Sequence, residues 1–125
     1  MEYEELTEKI IGAAYTVANT LGTGFLEKVY ENALLFELKN LGLEVESQFP
    51  LAVMYKNFCV GEYFADLYVE NEIIVELKAS VGVERIHKIQ VLNYLKACNK
   101  KIGLLINFGM PKIAINRITN NGFVE

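Results

Sequence analysis

Apolar residues recur at Leu6, Ile10, Ala14, Val17 and Leu21, three or four positions apart. That spacing predicts an amphipathic helix over residues 4–21. "LGTG" then interrupts the pattern, with Gly22 and Gly24 free to take positive φ. A second helix is predicted over residues 25–40, stopped near Gly42. From Leu43 the period changes to that of strands. "LEVESQ" alternates, "LAVMYK" is rich in β-formers, and "YKNF" has the composition of a turn. Two more strands are predicted over 60–69 and 73–79. Helical spacing returns over 84–98 through Ile86, Ile89 and either Leu92 or Asn93. "IGLLINF" then reads as a central strand ended by Gly109 and Pro111, and "IAINRI" as a last one. The predicted order is α-α-β-β-β-α-β with a final β. This is an α/β (α+β-like) sandwich whose mixed sheet is flanked by helices.

No internal repeat, low-complexity tract or linker divides the pattern. With 125 residues and 14.1 kDa, residues 1–125 are expected to form a single domain with a modest core. The first ten residues are acidic and polar rather than leader-like, and the longest apolar runs are too short to span a bilayer. A cytoplasmic protein without membrane association is expected by exclusion. Cys59 and Cys98 lack metal-ligand spacing and read as buried thiols. "LGTG" has neither the spacing nor the preceding strand of a phosphate or dinucleotide loop, so no organic cofactor is expected.

Charge changes the picture more than composition does. Residues 1–75 hold thirteen acids against four bases, and residues 76–125 hold three acids against eight bases. A basic surface in the second half, with Arg85, Lys88, Lys96, Lys100, Lys101, Lys112 and Arg117 as contributors, is compatible with a polyanionic partner.

The chemistry concentrates in "DLYVENEIIVELKAS", residues 66–80. Asp66 is the single aspartate beside fifteen glutamates. Glu76 and Lys78 are two apart in a predicted strand and so share a face. A three-residue loop at 70–72, with Asn71 tolerating a positive φ, sets 69 opposite 73 and therefore Asp66 opposite Glu76. A two-residue loop would separate them. The other parity, Leu67, Val69, Val75, Leu77 and Ala79, forms an apolar face. Two carboxylates facing each other across a sheet repel unless a cation or a shared proton relieves them. Lys78 relieves part, and a divalent ion relieves more. All-oxygen ligation suits Mg2+ or Mn2+, which activate water and stabilise charge on a phosphoryl group. Two helices add polar groups. Glu27 and Tyr30 fall one turn apart on a face with Leu26 and Ala33. His87, Gln90, Asn93 and Tyr94 line a polar stripe.

"GFLEKVY", residues 24–30, resembles the pattern that names the GxxExxY proteins, a bacterial and archaeal group assigned to the PD-(D/E)XK nuclease superfamily. "EYFADLYVENEIIVELKA", "HKIQVLNYLK" and "KIGLLINFG" resemble the rest of that pattern in the same order, over roughly residues 5–119. The resemblance implies a restriction-endonuclease-like core and metal-dependent hydrolysis of DNA or RNA phosphodiesters. By that resemblance Asp66 and Glu76 are the metal-binding acids, Lys78 the motif lysine, Glu27 the acid of the first core helix completing the metal site, and Gln90 the glutamine of the following helix. His87, Arg85, Lys88, Tyr30 and Asn93 are the candidate substrate contacts. Phe64 stands where the family often carries arginine or lysine, and Ala65 replaces the motif proline. Specificity is expected from loops, a homodimer or a partner protein. The alternative is a nuclease-fold binding or protein-interaction module without catalysis.

Overall fold

The computed structural model describes residues 3–82 and 85–124. Its elements are α1 (Tyr3–Leu21), α2 (Glu27–Asn40), β1 (Val45–Tyr55), β2 (Phe58–Val69), β3 (Ile73–Lys78), α3 (Arg85–Cys98), β4 (Ile102–Asn107) and β5 (Ala114–Thr119). This is the predicted order, with the final strand present. The expected start of α3 at residue 84 lies outside the described residues.

The five strands lie side by side in chain order. Only β3 and β4 are parallel, joined by the α3 crossover, and the other neighbours are antiparallel. The sheet is therefore mixed. The parallel pair is its most buried part: every residue of β4 is buried, as is all of β3 except Lys78, as expected of strands covered on both faces.

Two apolar clusters hold the layers together. On one face α1 and α2 contribute Leu6, Ile10, Tyr30, Leu34 and Leu38 against Leu67, Val75, Leu77, Leu104 and Ile106. On the other face α3 contributes Val91, Tyr94 and Leu95 against Leu51, Tyr68, Ile74 and Leu105. The predicted apolar parity of the 66–80 hairpin, Leu67, Val69, Val75 and Leu77, all enters the first cluster, with partly buried Ala79 packed against it. Gly103 on β4 lets α3 come close, since a Cβ there would lie 2.7 Å from Val91.

Two expectations are corrected here. Cys59 is exposed on β2 rather than buried, and Cys98 is half-buried. The helical spacing of Ile86 and Ile89 falls on α3, where the inward face is carried by Val91, Tyr94 and Leu95 and Ile86 and Ile89 are 59% and 41% exposed. Among the described residues, no helix is long and apolar enough to cross a membrane.

Candidate active site

The hairpin between β2 and β3 pairs Val69 with Ile73, Tyr68 with Ile74 and Leu67 with Val75. The loop therefore has three residues, 70–72, and Glu70 and Asn71 both take left-handed φ, 53° and 58°. Continued one step, that register sets Asp66 opposite Glu76. The ladder stops there, while β1 and β2 remain paired as far as Tyr55 and Phe58. Thus β2 leaves β3 at Asp66, and side chains take over where main-chain bonds end. The Asp66 amide donates to Oε1 of Glu76 at 2.8 Å, and the Leu77 amide donates to Oδ2 of Asp66 at 2.8 Å. Each carboxylate thereby caps an N–H that the parted strands would leave without a partner.

This reciprocal arrangement brings two acids together in a poorly hydrated place. Glu76 is only 5% exposed. Burial first, and the neighbouring Asp66 charge second, push its pKa from 4.5 up to about 8. Asp66 is pushed from 3.8 to about 6, mainly by burial, with the Leu77 amide opposing and the charge of Glu31 adding to the rise. Desolvation disfavours the charged form of a carboxyl, and a like charge does so again. Without a cation, the pair holds a proton near neutral pH.

Lys78 follows two residues after Glu76, and its charge is felt there as a lowering influence. Among the described residues it forms no ion pair within 4 Å. The strand exit beyond it is fixed by Asn107, which is fully buried. Asn107 Oδ1 accepts from the Ser80 and Gly109 amides, and Nδ2 donates to the carbonyls of Ser80 and Gly82. On α3, Gln90 Nε2 donates to Tyr94 Oη at 3.1 Å. The Tyr94 phenol is raised to about 12, chiefly by burial and next by the charge of Glu76, which brings this end of α3 to the acid pair. Gln90 and Asn93 line a cleft beside it. Arg85 and Lys88 are exposed on the same helix, and His87 is half-buried with a buried Nδ1 that has no hydrogen-bond partner.

Two sequence-based placements change. Tyr30 is fully buried, stacked on Phe108 with ring centroids 4.7 Å apart. Its Oη donates to the Gly22 carbonyl at 2.7 Å and accepts from the Phe25 amide at 3.3 Å. It therefore pins the turn between α1 and α2 and is closed to substrate. Glu27, expected on a face with Leu26, is exposed at the start of α2, and Leu26 is 81% exposed. Glu27 still acts on Asp66 and Glu76 as a like charge.

One turn on, Glu31 was not anticipated. It is 4% exposed and pairs with Lys28 at 2.8 Å. Gln48 links it to the site, donating from Nε2 to Glu31 Oε1 at 3.0 Å and to Asp66 Oδ1 at 3.5 Å. Gln48 can do this because its own φ of 53° turns β1 locally. The spacing Glu27, Glu31, Leu34, Leu38 marks one stripe of α2 and was the available signal for Glu31. Nothing in the sequence marks Gln48.

Among the described residues, no group of three or more His, Cys, Asp or Glu side chains is arranged to hold a metal ion. The expected three-acid set of Asp66, Glu76 and Glu27 is not assembled. A pair is. Among the described residues, only one oxygen of Glu76 is engaged by a hydrogen bond, and Asp66 Oδ1 has only the long contact from Gln48. Hard carboxylate oxygens that, among the described residues, have no ion-pair partner within 4 Å fit a small divalent cation that keeps several of its waters.

Comparison with solved structures finds the crystal structure of SSO0001 similar in fold, with a TM-score of 0.55 and 22% identity over 93% of this chain and 59% of the other. The chain thus spans less than two thirds of that protein. No curated protein matches. The sequence profile of the PD-(D/E)XK nuclease superfamily matches residues 4–118, and the chain belongs to that superfamily.

Proposed function

We propose that the protein is a metal-dependent nuclease that hydrolyses phosphodiester bonds of DNA or RNA, of the GxxExxY type within its superfamily. The observation that carries this proposal is the confrontation of half-buried Asp66 with buried Glu76, both held above the ordinary carboxylate range. A pair kept in that state has a standing electrostatic demand for a cation. Asp66 and Glu76 hold Mg2+ or Mn2+, and Glu27 contributes charge from the helix above. The ion, when bound, supplies charge neutralisation at the phosphoryl group and lowers the pKa of water.

The remaining steps fall to the chain's own groups. Lys78 orients the attacking water or holds a phosphate oxygen. Gln90 positions water or phosphate from α3, with its amide oriented by Tyr94. His87, Arg85, Lys88 and Asn93 contact the substrate along the same helix. Glu31 and Gln48 hold Asp66 in place. One observation favours a scaffold without turnover: each acid already satisfies a main-chain amide, which is a structural role complete in itself.

The two readings separate in one assay. Labelled single-stranded DNA, duplex DNA and RNA are incubated with protein and Mn2+ or Mg2+, with EDTA as control. The nuclease reading expects metal-dependent cleavage that falls about 10²–10⁴-fold in Asp66→Ala, Glu76→Ala and Lys78→Ala. Binding that persists in EDTA and in Asp66→Ala, with no cleavage by wild type, would establish the scaffold instead.

A further inference from the structure

Between the β1–β2 hairpin and α3 lies an open cleft of about 700 Å³, within the range of formed ligand pockets. Its walls are apolar and exposed: Met54 and Tyr63 from the hairpin, Ile86 and Ile89 from α3, at 57%, 49%, 59% and 41% exposure. Tyr94 closes its floor, with its ring 5.6 Å from that of Tyr63 and tilted by 41°. The cleft does not stand apart from the acid pair. Gln90 lines it, and the Tyr94 phenol that Gln90 touches senses the charges of Glu76 and Asp66.

The helix that forms one wall is basic. The sequence of α3, Arg85–Cys98, contains Arg85, Lys88 and Lys96 and no acid, and Lys96 lines the cleft itself. A surface for an intact duplex meets a hydrated anionic backbone and is polar and positive throughout. Four exposed apolar side chains in a recess have no counterpart on such a ligand, because the faces of its bases are stacked away. An unpaired nucleotide offers both halves, a flat apolar base and an anionic phosphate. Aromatic platforms beside basic groups are how proteins hold single strands.

Resting on the nuclease reading above, we infer that this cleft receives an unpaired base. The substrate is then a single strand, or a single-stranded segment of a branched or frayed nucleic acid. The base inserts between Tyr63 and the Ile86–Ile89 wall, and the phosphate next to it is presented past Gln90 to Asp66 and Glu76.

The test measures binding in EDTA, where cleavage is silent. The probes are a 12-nucleotide DNA carrying 2-aminopurine and the same sequence as a blunt duplex, at matched salt. The variants are Tyr63→Ala and Ile89→Ser, both at exposed positions, with thermal melting and Mn2+ titration as checks of fold and of the acid pair. The single strand is expected to bind at least about tenfold tighter than the duplex and to change 2-aminopurine emission. Each variant is expected to weaken single-strand binding about tenfold, within the range for loss of one base-stacking contact, with Mn2+ uptake unchanged. Duplex binding as tight as single-strand binding, with both variants like wild type, overturns the inference and leaves the nuclease reading intact if the duplex is cleaved. Absence of binding to either probe, together with absence of cleavage in Mn2+, overturns both.

Discussion

At the scale of single residues, Asp66 and Glu76 do two jobs that conflict. Each caps the other strand's amide as β2 parts from β3, and each has its proton affinity raised, Asp66 chiefly by burial and Glu76 by burial and the Asp66 charge. Because the folded pKa values lie above the ordinary ones, the folded chain binds more protons than the unfolded chain between about pH 4 and 8. The stabilising effect of the protonated pair is thus fully present below about pH 4 and is lost as pH rises through 6 and then 8. Glu76→Gln keeps an oxygen for the Asp66 amide and removes the charge. Metal-free Glu76→Gln should therefore be more stable than wild type at pH 8, and should show a flatter dependence of melting temperature on pH from 5 to 8. Equal melting curves for the two proteins at pH 8 would show that the pair is not strained.

At the scale of elements, the end of β4 governs the end of β3. Asn107 satisfies four main-chain groups around residues 80–82 and 109, and a Cβ on Gly109 would lie 2.3–2.6 Å from the Ser80 and Ala79 backbone. That contact cannot be relieved by a side-chain rotation. Asn107→Ala should cost about 2–4 kcal/mol through buried groups left without partners, and Gly109→Ala should be at least as damaging. Urea unfolding of both variants checks this, and a loss under 1 kcal/mol for either would sink the idea. The strand order and the hairpin register were legible, because a period of two and a three-residue loop fix which side chains face which. The helix faces were less so. Ile86 and Ile89 are spaced like core residues yet line an open cleft, since Val91, Tyr94 and Leu95 already cover the sheet. On α2 the buried carboxylate is Glu31, not Glu27, because Lys28 and Gln48 lie within its reach. Gln48 depends on a local left-handed turn in β1 that no pattern announces. Tyr30, read as a substrate contact, instead serves the turn it faces.

At the scale of the whole molecule, the acidic first half and basic second half place cations on α3, beside the acids of β2 and β3. A chain of net charge −4 can then meet a polyanion through one helix. Should Arg85, Lys88 and Lys96 make the phosphate contacts, the logarithm of affinity for a single strand should fall with that of salt at a slope of about −2. Anisotropy titrations from 50 to 200 mM salt should thus show a loss of about 16-fold, and a flat response would remove α3 from the interface. Asp66 and Glu76 are proposed to form a cation site. Calorimetric titration of Mn2+ into metal-free wild type, Asp66→Ala and Glu76→Ala, in two buffers of different ionisation enthalpy at pH 7, addresses it most directly. Saturable binding to wild type with release of a proton, abolished in both variants, is the predicted result. Heat no greater than dilution for wild type, even with an oligonucleotide present, would rule out a cation site at Asp66 and Glu76.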